Sequence, residues 1–249
     1  MNVLDEIVLN TRSKLEVMKS KTSLEELISQ VTKLKIKKSN FKASLASKDQ
    51  AIIAEIKKAS PSAGIISEDF DPVTKAKEYE SFGASALSIL TEEDYFHGSI
   101  KYLKDVKAIS NLPILRKDFV IDEYQIYESK LIGADCILLI VSILSDSELQ
   151  RFTSLADALG LDYIIEVHDE AELKRVEGFS DAIIGVNNRD LKTFEVNIEN
   201  SIRLRNFFKK ENIFVAESGI KNQKDIDNLS QHNINVFLIG ESLMRGDFL

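Results

Sequence analysis

Apolar residues fall into short, nearly continuous blocks that recur along the chain: "AIIAEI" (51–56), "ALSIL" (86–90), "PILRK" (113–117), "CILLIV" (136–141), "YIIEV" (163–167), "AIIGVN" (182–187), "IFVAES" (213–218) and "VFLIG" (236–240). Rich in Ile, Val, Leu and Phe and bounded by Gly, Asp, Asn or Pro, they read as strands buried on both faces. Their starts lie roughly 20–35 residues apart, the length of one strand-helix unit. The stretches between carry helix punctuation. Asp71-Pro72 is a cap followed by proline at the first helical position, and Asp122 with Gln125, Ser145 with Glu148, and Asp169 with Glu172 fit capping boxes. Gly83, Gly133, Gly160 and Gly178 stand where a left-handed residue ends a helix before the next strand. Leu149, Phe152, Leu155, Ala156 and Leu159 recur at helical spacing, so one face of that helix lies on a sheet. Strand then helix, eight times, predicts an α/β fold, the (β/α)8 or TIM barrel.

Ahead of the first strand, Leu4, Ile7, Val8, Leu15 and Met18 mark one amphipathic helix. Ser23 with Glu26 caps a second carrying Leu24, Leu27, Ile28 and Val31. The prediction is a single barrel domain over 1–249, of which 1–48 is an N-terminal helical extension. The Lys-rich piece "KLKIKKSNFKAS" has three readings: a nucleic-acid arm, a solvated connector, or a cover that folds over the barrel mouth and brings positive charge to an anionic substrate.

Composition narrows the function. Forty acidic against 32 basic residues, net charge -8, argue against a bulk electrostatic grip on nucleic acid or anionic membrane. The single cysteine, Cys136, forbids an intrachain disulfide and fits a reducing cytoplasm. The start "MNVLDEIVLN" carries no basic segment followed by an apolar signal core. His97, His168 and His232 are scattered, and with one cysteine they form no zinc-type ligand set. A carboxylate-held metal stays open without support, and the expectation is no metal and no cofactor.

In this architecture chemistry sits at the carboxyl ends of the strands. That filter gathers Glu55 and Lys57 at the first strand, Glu92, Glu93 and Asp94 after the second, and Lys117 and Asp118 at the third. It adds Glu166 at the fifth, Asn187, Asn188 and Arg189 at the sixth, Glu217 and Ser218 at the seventh, and Glu241 after the eighth. Taken singly, each charge is open to a structural reading: a Glu-Lys pair or a solvated strand end. Grouped at one mouth, they suit proton transfer. Gly219 and Gly240, after the seventh and eighth strands, give backbone N–H groups access to an anion and point to a phosphorylated substrate. Phe96 and Phe119 near the rim are core or loop staples by default, and a substrate with an aromatic ring would need such walls.

The same blocks carry a family resemblance. "LDEIV", "IIAEIKKASPSAG", "LSILTEEDYFHGS", "PILRKDFVIDEYQIYES", "GADCILLIV", "IIEVHDE", "IGVNNRDL", "VAESGI" and "FLIGESLM" resemble, over nearly the whole chain, the indole-3-glycerol phosphate synthases of tryptophan biosynthesis. The resemblance implies a carboxy-lyase that closes an indole ring from 1-(2-carboxyphenylamino)-1-deoxyribulose 5-phosphate with loss of carbon dioxide and water. It implies Lys117 as general acid of the condensation, with Glu166 working beside it or taking over in dehydration. Glu55 would hold these groups and the substrate hydroxyls, and Lys57 would meet the carboxylate or phosphate, with a share in proton transfer. Asn187 would orient a catalytic group or hydroxyl, Arg189 support its loop, and Glu217 and Ser218 complete the polar rim. Ser60 and Pro61 would shape the loop after the first strand, Phe96 and Phe119 flank the anthranilate ring, and Gly219 and Gly240 meet the phosphate. Glu241 would contact phosphate through its backbone N–H, because its carboxylate repels.

The ending "MRGDFL" implies an abbreviated eighth helix, and the absence of a second barrel a monofunctional form. The expected partner is a phosphorylated small molecule, with no nucleic acid and no membrane, for a cytoplasmic monomer or weak homodimer. A Schiff-base aldolase, a sugar-phosphate isomerase on the same barrel, and a catalytically silent phosphate-binding subunit are the competing readings.

Overall fold

The computed structural model describes residues 3–190 and 193–248. Eight parallel strands close into a barrel in sequence order: β1 (Ala51–Ile56), β2 (Ala86–Leu90), β3 (Ile114–Lys117), β4 (Cys136–Ile140), β5 (Asp162–Val167), β6 (Ile183–Asn187), β7 (Phe214–Glu217) and β8 (Val236–Ile239). The seam closes where β1 pairs with β8, from Ala51 against Val236 to Ala54 against Ile239. Three helices precede the barrel: α1 (Val3–Lys21), α2 (Leu24–Val31) and α3 (Phe41–Ala46). The outer layer comprises α4 (Pro72–Phe82), α5 (Ile100–Lys107), α6 (Glu123–Ile132), α7 (Asp146–Ala158), α8 (Glu170–Arg175), α9 (Glu199–Phe207), α10 (Gln223–Gln231) and α11 (Glu241–Arg245). Among the described residues no helix is long and apolar enough to cross a membrane.

The punctuation read from sequence works locally, with informative exceptions. Asp71 accepts from the Val73 and Thr74 N–H groups, and Ser23–Glu26 and Ser145–Glu148 are full capping boxes. Gly83 and Gly133 end their helices in the left-handed region, at φ 93° and 91°. Gly178, by contrast, lies outside the positive-φ glycines, because α8 ends in a short turn instead of a left-handed cap. Asp122 caps α6, but the Gln125 side-chain oxygen accepts from Ile121 N–H, so that box is not reciprocal. The apolar block at 136–141 is a strand only to Ile140, and Val141 opens a 3-10 turn. The eighth helix, α11, spans five residues and stops at a left-handed Gly246.

Strand alternation sorts side chains into two sets. Outward residues such as Ala54, Leu87, Leu139 and Ile165 join the main core beneath the helices. Inward residues, including Ile53, Ala86, Leu115, Cys136, Leu138, Ile164, Ile183, Val215 and Leu238, fill the barrel. The extension meets the barrel at both ends. At its amino end, Phe41 and Leu45 of α3 are buried in the same interior cluster as Ala51 and Val236.

The Lys-rich piece therefore does not cover the mouth. Lys42 N–H donates to Asp162 at the start of β5, and Ser39 N–H donates to the Gly160 carbonyl, so the piece ties the floor of the barrel. The mouth is approached instead by α1. Its Lys14 bridges Glu93 at 3.1 Å and Asp94 at 2.7 Å in the loop after β2, and Lys19 meets Asp122 at 2.7 Å. Further along, Leu15 packs with Leu27 and Tyr124, fastening α1 and α2 to α6.

Removing Leu45 leaves a hole in the barrel floor far from the mouth. Leu45→Ala is expected to lower unfolding free energy by about 2–4 kcal/mol in urea melts, while the cavity at the opposite end keeps its shape; an unchanged midpoint would show that the floor plug is dispensable.

Candidate active site

Inward alternation continues past the apolar layers to the carboxyl ends of the strands, where the inward set turns polar. Glu55 sits one residue before the end of β1, and Lys57 follows it at the same parity. Lys117, Asn187 and Glu217 are the last residues of β3, β6 and β7, and Glu166 is the penultimate residue of β5. Parallel register brings these tips level: Glu166 lies beside Ile140 and Gly185, and Asn187 beside Glu217. They open on a cavity of about 480 Å³, a size suited to one small ligand. Glu55, Lys57, Ser60, Phe96, Lys117, Phe119, Glu166, Asn187, Arg189, Glu217, Ser218, Gly219, Gly240 and Glu241 all line it.

At its centre the Lys117 Nζ lies 2.9 Å from Glu166 Oε2 and 2.8 Å from Glu217 Oε2. The three side chains are nearly cut off from solvent. Burial opposes charge on Lys117, yet the Glu166, Glu217 and Glu55 carboxylates outweigh it and hold its pKa above the ordinary lysine value. Burial likewise opposes charge on Glu166, but Lys117 and His168 prevail and hold it below the usual carboxylate range. Glu217 goes the other way. Burial and the Glu166 and Glu55 charges push it up to about 7, with Lys117 opposing. A second pair stands beside this cluster, Lys57 Nζ at 2.6 Å from Glu55 Oε1.

Two glycines make room for these carboxylates. A Cβ on Gly185 would fall 2.2 Å from Glu217 Oε1, and one on Gly240 would fall 2.5 Å from Glu55 Oε1 and 3.2 Å from Lys57 Nζ. Gly240 thus serves the ion pair directly, a use its sequence position did not disclose. Glu217 Oε1, packed on the bare Gly185 backbone, is buried without a hydrogen-bond partner.

The rim is built from turns. Ser218 and Gly219 are both left-handed, at φ 67° and 83°, which swings the chain sharply after β7. Ser218 Oγ donates to Asn187 Oδ1 at 2.9 Å, an oxygen that also accepts from Arg189 N–H at 3.0 Å. Asn187 Nδ2 in turn donates to Glu166 Oε1 at 3.3 Å. Glu241 lies 4.0 Å from Arg189 and 3.2 Å from Arg245, so its carboxylate faces two guanidinium groups. Ser60 Oγ accepts from Ala63 N–H and rounds the turn after β1. Phe96 and Phe119 face each other with ring centroids 6.0 Å apart.

Other strand-end polar residues are structural. Glu92 accepts from the Asp94, Tyr95 and Phe96 N–H groups and so sets the Phe96 loop. Glu93 and Asp94 hold α1. Asp118 pairs with the buried Arg116 at 3.0 Å, and Asn188 binds the Ser218 carbonyl and the Ser201 N–H. Several cavity residues escaped the sequence reading: Leu4 and Ile7 from α1, Leu138 and Ile140 from β4, and the cations Lys221 and Arg245. Counting alternate positions from Cys136 would have found Leu138 and Ile140. Nothing in the local pattern of the others points at the mouth.

Comparison with known proteins agrees over almost the whole chain. The family model described as indole-3-glycerol phosphate synthase matches residues 4–248. The indole-3-glycerol phosphate synthase of Ruminiclostridium cellulolyticum is 49% identical over 245 residues, covering 98% of this chain and 94% of that protein. The Acetivibrio thermocellus protein of the same name is 47% identical with the same coverage. Among solved structures, a tryptophan synthase alpha-subunit mutant from Pyrococcus furiosus superposes with TM-score 0.60 at 16% identity, over 80% of this chain and 90% of that one. The N-acetylmannosamine-6-phosphate 2-epimerase of Clostridium perfringens gives 0.61 at 13% identity, over 82% and 91%. At such identities these two establish the barrel alone.

A methyl on Gly185 would fall 2.2 Å from Glu217 Oε1 and 2.8 Å from Ile164 Cγ2. Gly185→Ala should therefore melt below the parent through the Ile164 contact, and, where still folded, lose turnover by about tenfold or more as Glu217 leaves its place beside Lys117; a wild-type rate would mean that the position of Glu217 is immaterial.

Proposed function

The chain belongs to the indole-3-glycerol phosphate synthase family, and we propose that Lys117, Glu166 and Glu217 divide the acid-base work of its reaction. That reaction is the decarboxylating, dehydrating ring closure of 1-(2-carboxyphenylamino)-1-deoxyribulose 5-phosphate to indole-3-glycerol phosphate, a carboxy-lyase step of tryptophan biosynthesis. The observation that carries the reading is the Lys117 ammonium held within 2.9 Å of both carboxylates.

In ring closure the ring carbon bearing the carboxylate attacks the ketone carbon, and the C=O bonding pair moves to the oxygen as negative charge. Lys117 is the acid that gives this oxygen a proton, becoming a neutral amine. Carbon dioxide then leaves, its bonding electrons returning to the ring. In the last step the hydroxyl departs with a proton as water, while a proton is lost from the neighbouring carbon to complete the indole. A base and an acid are needed together there. Two carboxyl groups with pKa values driven apart meet that need: Glu166, held ionised, takes the proton from carbon, and Glu217, which carries a proton near neutrality, gives one to the departing hydroxyl. The proton on Glu166 then passes to the neutral Lys117 amine beside it, and solvent restores Glu217, supplying the one proton that loss of the carboxylate consumes.

The remaining residues bind and orient. Lys57, tethered by Glu55, meets an anionic group of the substrate, and Glu55 also holds its hydroxyls. Asn187 fixes the aim of Glu166. Phe96 and Phe119 wall the anthranilate ring, while Ser60, Arg189, Ser218, Gly219, Gly240 and the backbone of Glu241 form the polar end for the phosphate. We place this chemistry in the cytoplasm, in one domain acting as a monomer or weak homodimer. The buried free thiol of Cys136 and the contribution of α1 to the cavity support that placement. A Schiff-base mechanism fits less well. A nucleophilic lysine needs a depressed pKa, whereas two carboxylates hold that of Lys117 up.

Purified Lys117→Ala and Glu166→Gln should each lose roughly 10²–10⁴ of turnover, measured by the appearance of indole fluorescence, while both still fold; Lys117→Ala should melt lower than Glu166→Gln because it leaves two buried carboxylates without their cation. Normal rates in both would show the assigned roles to be wrong.

A further inference from the structure

His168 is the first residue beyond β5, at the inward parity of Glu166, yet it does not line the cavity. It stands behind Glu166. Its Nδ1 lies 3.1 Å from Glu172 Oε2, and the same oxygen accepts from His168 N–H at 2.8 Å. Its Nε2 is buried without a well-aligned hydrogen bond, 3.4 Å from Glu166 Oε1. The first turn of α8 is adapted to this arrangement. Asp169 caps it by accepting from Glu172 N–H, but the Glu172 carboxylate turns to the ring and backbone of His168, where a capping box was expected. The imidazole is therefore clamped from outside by a carboxylate and directed inward at the one proposed as base.

Charges and polar groups around it come from every neighbouring element. Glu172 on α8 and Glu166 on β5 face the ring, and Asn200 of α9 donates to the His168 carbonyl at 3.1 Å. Beyond Glu166 lie Asn187 of β6, Lys117 of β3 and Glu217 of β7. Burial disfavours charge on the imidazole, but Glu166 and Glu172 outweigh it and raise its pKa to about 10. Among the described residues, Lys117 and His168 are the cations in ion-pair reach of Glu166.

Those two cations differ in one respect that matters. Lys117 is shared with Glu217 and, on the reading above, becomes neutral once the ketone oxygen takes its proton. Without a second cation, Glu166 would then be a buried carboxylate facing an uncharged amine and would tend to bind a proton itself. We propose that His168 is a positioning residue whose imidazolium keeps Glu166 ionised and aimed into the cavity while Lys117 is neutral. The inference rests on Glu166 being the base.

The test is a double-mutant cycle of His168→Gln and Glu166→Gln, with kcat, KM, the pH profile of kcat and thermal melting measured for each. His168→Gln should lower kcat about tenfold and leave KM within about threefold. It should also move the acid limb of the kcat profile up by about one pH unit. In the Glu166→Gln background the same change should cost nothing further, because its effect passes through Glu166. His168→Asn, which keeps a donor for Glu172, is read in the same way should the glutamine variant not fold. Wild-type kcat and profile in His168→Gln, beside an impaired Glu166→Gln, would overturn this inference alone. So would an equal loss in both backgrounds with the acid limb unmoved, the mark of a merely structural role. Full turnover in Glu166→Gln would overturn the assignment of Glu166 and this inference with it.

Discussion

Lys117 sets one ammonium between the carboxylates of Glu166 and Glu217 where solvent hardly reaches, and a buried charge is tolerable only when matched. One cation cannot match two anions. The cluster therefore divides its charge unevenly: Glu166, backed by His168 and Asn187, stays ionised, while Glu217, packed on a bare backbone with one oxygen unpartnered, retains a proton to about neutral pH. One ionised and one protonated carboxyl thus arise from two residues of the same type in two surroundings.

Much of the barrel can be understood as support for that imbalance. Parallel register levels the strand tips, and the side chains missing at Gly185 and Gly240 leave volume for Glu217 and Glu55. Paired left-handed residues after β7 bring Ser218 to Asn187, which holds Glu166. The extension works at both ends: α3 plugs the floor with Phe41 and Leu45, and α1 brings Leu4 and Ile7 to the cavity wall, anchored by Lys14. A net acidic chain accommodates an anionic substrate because Lys57, Lys117, Arg189, Lys221 and Arg245 are gathered at the cavity.

The barrel was legible because buried parallel strands leave a dense apolar signal, and the strand-tip residues because charge inside an apolar run is conspicuous, as with Glu55 in "AIIAEI" and Glu166 in "YIIEV". Glu55 and Lys57, two residues apart, face the same way and meet at 2.6 Å. What stayed hidden depends on long-range packing. Nothing in "KLKIKKSNFKAS" distinguishes the floor from the mouth; Asp162 and Gly160, more than a hundred residues away, decide it. Gly185 reads as a strand glycine until Glu217 is placed against it, and Glu172 as a cap residue until His168 is seen above it.

Lys117 leaves one of its two carboxylate partners protonated near neutrality, and infrared difference spectroscopy across a pH titration measures this directly. A protonated-carboxyl C=O band should disappear with a midpoint near pH 7 and be absent from Glu217→Gln. A parent protein with no such band above about pH 5, or a band that survives in Glu217→Gln, would contradict it.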